Sequence, residues 1–123
     1  MKNKNYKTIE WLLRIVVSMT FLGHGVFALK GNATWLVYLE TVGFSIERSK
    51  ELLMIIGALD LLVAVIILIK PFKYVVLWAV IWAFSTAFIR PISGEPIWAF
   101  IERGANWGAP LALYLMLLKK STK

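Results

Sequence analysis

The chain has 123 residues, and 59% of them are hydrophobic, a share too high for a soluble domain of this size. It contains no cysteine and one histidine, which excludes thiol chemistry, iron–sulfur clusters and a bis-histidine haem within one copy. The net charge of +7 does not indicate nucleic-acid binding, because the basic residues separate apolar runs instead of forming a patch with interleaved aromatics.

Apolar runs of the roughly 17–25 residues that cross a bilayer recur along the chain. The second run ends at Lys70-Pro71 and the third at Arg90-Pro91, where proline stops a helix and a basic side chain can meet lipid headgroups. The sequence therefore predicts an all-α integral membrane four-helix bundle, forming a single domain over residues 1–123. The predicted spans are residues 9–29, 51–69, 72–89 and 96–118.

A shorter segment, residues 32–48, lies between the first two predicted spans. Trp35, Leu39 and Val42 recur in it at helical spacing, and Asn32 is a suitable N-cap residue. We predict a short amphipathic helix here, lying on the outer surface of the membrane.

The distribution of lysine and arginine predicts the orientation. Four spans place both termini and the 70–73 loop on one side, which carries eight basic residues and one acidic residue, Glu10. The other side carries five basic and five acidic residues. The positive-inside rule then places both termini in the cytoplasm, which predicts a multi-pass protein of the bacterial inner membrane. The eight basic residues are Lys2, Lys4, Lys7, Lys70, Lys73, Lys119, Lys120 and Lys123.

Two charged residues, Arg14 and Asp60, fall within predicted spans. A lone carboxylate near mid-span costs about 2.5–3.5 kcal/mol on insertion scales, so Asp60 should face the bundle and find a partner. The two residues differ in depth by roughly 5–6 Å, which an arginine side chain can cover. We predict an intramembrane ion pair between them and favour a structural role over a proton or ion relay.

The segment from Arg90 to Pro110 is unusually polar for this chain. On a helix, Glu95, Glu102 and Asn106 fall within about 40° of one another and form a polar stripe. We expect this stripe and neighbouring polar groups of the outer half to converge on a water-reachable, ligand-binding pocket. The predicted pocket residues are His24, Arg90, Glu95, Glu102, Arg103 and Asn106. The alternative is an electrostatic clasp in which the two arginines neutralise the two glutamates.

A looser pattern lies between residues 24 and 57 and consists of His24, Gly25, Lys30, Gly43, Glu51 and Gly57. In this pattern the chain resembles the DoxX-like (DoxX/DoxD) membrane proteins. The resemblance implies a four-helix membrane bundle with a short outer helix, in a family that includes subunits linked to thiosulfate:quinone oxidoreduction. Because the chain lacks cysteine, a quinone or lipid-like ligand is more compatible with it than disulfide chemistry.

Two functional hypotheses follow. In the first, the protein is a redox-associated accessory subunit without catalytic activity of its own, and binds a quinone or similar small amphipathic molecule in the outer-half pocket. In the second, it is a structural or assembly protein whose polar groups form clasps between helices. The expected partners are the lipid bilayer, a membrane or redox subunit and a second copy of the chain. Neither a metal ion nor nucleic acid is expected.

Overall fold

The computed structural model describes the backbone of residues 3–121 and the side chains of residues 5–119. Within that part the chain is all-helical, which confirms the predicted class. Lys2 and Lys123, and the side chains of Lys4 and Lys120, all used in the orientation argument, lie outside it. The helices are α1 Asn3–Leu29, α2 Ala33–Thr41, α3 Ile46–Ile69, α4 Lys73–Ile92, α5 Ile97–Ile101 and α6 Gly104–Ser121.

Three of these helices, α1, α3 and α4, are long and apolar enough to cross a membrane, in agreement with the first three predicted spans. The predicted fourth span is interrupted, because α5 ends at Ile101 and α6 begins only at Gly104. The interruption coincides with the charged residues Glu102 and Arg103, followed by glycine, which is a poor helix former. The polar stripe predicted on one continuous helix is therefore divided: Glu95 lies before α5, Glu102 in the turn after it, and Asn106 in α6.

The segment between α1 and α3 also differs in extent from its prediction. Asn32 caps α2 as expected, and its side-chain oxygen accepts a hydrogen bond of 3.0 Å from the backbone N–H of Thr34. However, α2 ends at Thr41, because the chain turns at Gly43, whose φ of +107° favours glycine. Ser45 then caps α3, which begins several residues before the predicted second span.

The four long helices pack side by side: α1 contacts α3 and α6, and α4 also contacts α3 and α6. Helix α2 lies against α3 and α4 and covers one end of their interface. The core is built mainly of aliphatic and small side chains from all four long helices, with one phenylalanine. Its buried residues are Val17, Phe21, Val63, Ala64, Ile67, Val76, Ala79 and Leu113.

The backbones of α1 and α3 come close together at two glycines. A Cβ atom added to Gly25 would lie 2.9 Å from the carbonyl oxygen of Gly57 and 2.9 Å from Leu61. A Cβ atom added to Gly57 would lie 2.9 Å from Leu29. This contact fixes the position of α1 beside α3, and therefore of His24, the residue next to Gly25.

Candidate functional site

A cavity of about 400 Å³ lies beneath α2, between α3 and α4. Its wall is largely apolar and is built by side chains from these three helices, together with His24 of α1. Along α4 it extends from Trp82 to Arg90, which corresponds to about 12 Å of helix. The three-residue connection makes α3 and α4 antiparallel, so Asp60 lies towards the Trp82 end and Leu53 towards the Arg90 end. The apolar side chains include Leu39, Val42, Leu53, Ile56 and Ile89.

A second, more open and more polar cleft of about 430 Å³ adjoins this cavity. The two share His24, Trp35 and Arg90 in their walls, so the apolar cavity and the polar cleft meet at these side chains. The structure brings five of the predicted site residues together around this cleft, although their binding of a ligand remains a prediction. These five residues are His24, Arg90, Glu102, Arg103 and Asn106.

The sixth predicted residue, Glu95, lies at the end of a short hydrogen-bonded chain. The Nη1 atom of Arg90 donates a 2.7 Å hydrogen bond to the hydroxyl oxygen of Tyr38, which in turn donates to a carboxylate oxygen of Glu95. The turn at Gly94, with a φ of +110°, returns the chain so that Glu95 can reach Tyr38. These two hydrogen bonds link α2 to the end of α4 and hold α2 over the cavity.

Arg90 itself is nearly enclosed, with 9% of its surface exposed. Its Nε atom is buried and has no hydrogen-bond partner. Among the described side chains, no carboxylate lies within 4.0 Å of its guanidinium nitrogens. Its positive charge therefore faces the junction of the two cavities without a contacting counter-ion.

The predicted clasp between arginines and glutamates forms only in part. Arg103 pairs with Glu102 at 2.6 Å, but these residues are neighbours in the chain, so the pair does not join two spans. Arg90 reaches Glu95 only through Tyr38, as described above. The connection between helices at this end depends on the tyrosine hydroxyl rather than on a direct ion pair.

His24 occupies the α1 side of both cavities. Its ring packs edge-on against Trp35, with the ring centroids 5.5 Å apart. Within the described part of the chain, no carboxylate lies within 4.0 Å of its ring nitrogens. The structure therefore does not pair this histidine with a neighbouring carboxylate.

The predicted ion pair between Arg14 and Asp60 is not formed. Asp60 is 4% exposed and lies in the cavity wall, which the indole of Trp82 also lines. Arg14 instead lies beside the last turn of α3, seven or more residues from Asp60, which is about 10 Å or more along the helix axis. The depths of Arg14 and Asp60 estimated from the ends of their spans were not accurate enough to show that the two residues lie apart.

Arg14 satisfies the carbonyl oxygens at the end of α3. The carbonyl of Ile67 lacks the usual partner four residues later, because Pro71 has no backbone N–H. The guanidinium of Arg14 donates hydrogen bonds of 3.2, 2.5 and 3.0 Å to three successive carbonyls and pairs with Glu10 at 3.7 Å. The three acceptors are the carbonyl oxygens of Ile67, Leu68 and Ile69.

Sequence reasoning missed Tyr38 and Trp82 as components of the site. Tyr38 follows Trp35 by three residues on the predicted amphipathic helix, so the two share a face. A buried tyrosine hydroxyl needs a hydrogen-bond partner, and that requirement was the available signal. Its partners could not be identified, because they belong to α4 and the following turn.

Tyr38 provides a testable dependence of stability on pH. Burial, and then the hydrogen bond to Glu95, raises the pKa of Tyr38 above its ordinary value of 10.0. The folded state thus holds this proton more tightly than the unfolded state, so its stabilising contribution is complete below pH 10 and is lost as pH rises through the folded pKa. We expect thermal stability in detergent to fall above about pH 10, and Tyr38→Phe to reduce that fall.

A matched control is available in Tyr74, which is 75% exposed. Tyr74→Phe should leave the alkaline loss of stability as it is in the unmodified protein. An equal alkaline loss in the Tyr38→Phe and Tyr74→Phe variants would contradict the prediction.

No protein-family model, curated protein or solved structure matches this chain.

Proposed function

We propose that this chain is an integral membrane protein that binds a small amphipathic molecule of the quinone class in the cavity beneath α2. In this proposal α1, α3 and α4 cross the bilayer, and α5 and α6 together make the fourth crossing of a four-helix bundle. Both termini face the cytoplasm of a bacterial inner membrane, because the basic residues concentrate on that side. Arg90 and His24 then lie in the outer half.

The observation that carries this proposal is an apolar cavity of about 400 Å³ with buried polar groups at both ends. Ligand sites are concave and mostly apolar, with a few convergent polar groups that fix orientation. A quinone has this same distribution, because polar oxygens lie at opposite edges of a flat apolar ring. Arg90 and His24 at one end, and Trp82 and Asp60 at the other, supply the matching polar groups.

The alternative, a structural protein without a ligand, is less well supported by the contacts. A purely structural role would predict that buried polar groups satisfy one another, as Arg14 does with α3. At the cavity, by contrast, Arg90 keeps a buried donor without a partner. Resemblance to the DoxX-like proteins and a role as an accessory subunit beside a redox partner remain predictions.

Binding of 1,4-naphthoquinone to the detergent-solubilised protein, measured by equilibrium dialysis against empty micelles, tests this proposal. We expect saturable binding at one site per chain. Ile56→Phe should weaken it about tenfold or more, because the larger side chain fills the cavity that Ile56 lines.

Ile55→Phe is the matched control, because Ile55 is the preceding residue of the same helix and is 56% exposed away from the cavity. Its affinity for the naphthoquinone should equal that of the unmodified protein. Binding that does not saturate, or that is weakened equally by both substitutions, would refute the proposed site.

A further inference from the structure

Arg90 is a buried cation that no described carboxylate contacts directly, since it reaches Glu95 only through the hydroxyl of Tyr38. One edge of its guanidinium is occupied, because Nη1 donates a hydrogen bond to the hydroxyl of Tyr38. The Nε atom is buried without a partner, and the residue is 9% exposed in a wall shared by both cavities. An uncompensated buried charge is costly, so such a group commonly has a partner that completes it.

The charged groups around Arg90 do not provide that partner. Glu102 is engaged by Arg103 at 2.6 Å, and Glu95 accepts from the Tyr38 hydroxyl. His24 contributes an uncharged or positive ring, never a negative one. The wall of the polar cleft itself carries two arginines, Arg90 and Arg103, against one carboxylate, Glu102, and the apolar cavity adjoins this wall at Arg90.

We propose that the bound molecule carries an anionic oxygen, and that the guanidinium of Arg90 binds it. This inference rests on the proposed function and names the class of its ligand: a flat quinone ring bearing an ionised hydroxyl group beside a ring carbonyl. Those two adjacent oxygens share one negative charge and resemble the edge of a carboxylate. A guanidinium edge presents two parallel N–H groups, which suits such a pair of oxygens.

The positions of the charged groups also determine the orientation of this ligand. The anionic edge lies towards Arg90, because Asp60 lies towards the other end of the cavity, the end marked on α4 by Trp82, about 12 Å of helix from Arg90. The uncharged part of the ring then lies among apolar side chains such as Leu53, Ile56 and Ile89. The polar cleft gives the charged edge access to water.

Two probe molecules that differ little in size test the inference: 2-hydroxy-1,4-naphthoquinone, an anion at neutral pH, and 2-methoxy-1,4-naphthoquinone, which is uncharged. Dissociation constants are measured by equilibrium dialysis at pH 7.5 in uncharged detergent and corrected for partition into empty micelles. We expect the unmodified protein to bind the hydroxy compound about tenfold or more tightly than the methoxy compound. Arg90→Gln should reduce this preference to about twofold or less.

Arg48→Gln is the control for net charge, because it removes one positive charge from an exposed pair with Glu51. It should keep the full preference for the hydroxy compound. Arg90→Lys retains the charge without the paired N–H groups and should give an intermediate preference. Folding of each variant is verified by thermal unfolding. If Arg90→Gln does not fold, the inference is tested by the preference of the unmodified protein and its reduction in Arg90→Lys.

The possible outcomes distinguish failure of this inference from failure of the proposed function. Equal affinity of the unmodified protein for the two compounds would overturn the anionic ligand and leave the cavity proposal in place. A preference that Arg90→Gln keeps would overturn the assignment to Arg90. Absence of saturable binding by either compound and by 1,4-naphthoquinone would overturn both.

Discussion

Replacing Arg14 with methionine is expected to lower the free energy of unfolding by about 3–5 kcal/mol, the range for breaking a buried ionic network. The substitution removes the donor to three carbonyls at the end of α3 and the cation beside Glu10. In a low-dielectric environment no water is available to donate hydrogen bonds to those carbonyls in place of Arg14. Equilibrium unfolding of the purified protein in mixed micelles, with increasing denaturing detergent, measures the change.

The control for this experiment is Arg48→Met, because Arg48 also forms an arginine–glutamate pair within a helix. Its pair with Glu51 spans 3.5 Å, but both side chains are about two-thirds exposed, at 64% and 68%. Exposed pairs contribute about 0–1 kcal/mol, so this substitution should have little effect. Similar losses for the two variants would show that Arg14 acts only as a surface charge.

Replacing Gly25 with alanine is expected to destabilise the protein by about 1–3 kcal/mol, the usual cost of an added methyl group in a packed core. The new Cβ atom would lie 2.9 Å from the backbone oxygen of Gly57, which cannot move without displacing α3. Unfolding under the same conditions measures the loss. Because His24 is adjacent, we also expect weaker binding of 1,4-naphthoquinone.

Gly23→Ala supplies the comparison within the same helix, two residues away. A Cβ atom at Gly23 would meet nothing within 4 Å, so only helix propensity changes. Alanine is favoured over glycine in a helix by up to about 1 kcal/mol, so stability should stay equal or rise. If Gly23→Ala and Gly25→Ala destabilised the protein equally, close contact between α1 and α3 would not be the cause.

Features that depend on neighbouring residues were predictable from the sequence. The apolar runs that became α1, α3 and α4, the cap at Asn32 and the stop at Pro71 each follow from a few adjacent side chains and backbone groups. Even there, the boundaries moved: α3 begins at Ile46, because Ser45 provides a cap that the apolar run alone does not indicate.

The choice of partners was not predictable in the same way. Arg14 and Asp60 were assigned to each other because both are charged and lie within spans, yet Arg14 binds the end of α3 and Asp60 lines a cavity beside Trp82. Glu10 on the same helix and the carbonyls left unpaired at the end of α3 were better partners for the arginine. Opposite charge alone does not identify which group is within reach.

Sequence by itself determined that this chain is helical, that its first three predicted spans are long apolar helices, and that the segment from Arg90 to Pro110 is unusually polar. These properties follow from side-chain hydrophobicity, helical period and backbone chemistry, all of which act over one or two turns. Only the tertiary structure decided that α2 covers a cavity, that Tyr38 links Arg90 to Glu95, and that Arg90 keeps a free donor. Those contacts depend on the rotation and relative depth of packed helices, which are determined by close approaches between distant residues such as Gly25 and Gly57.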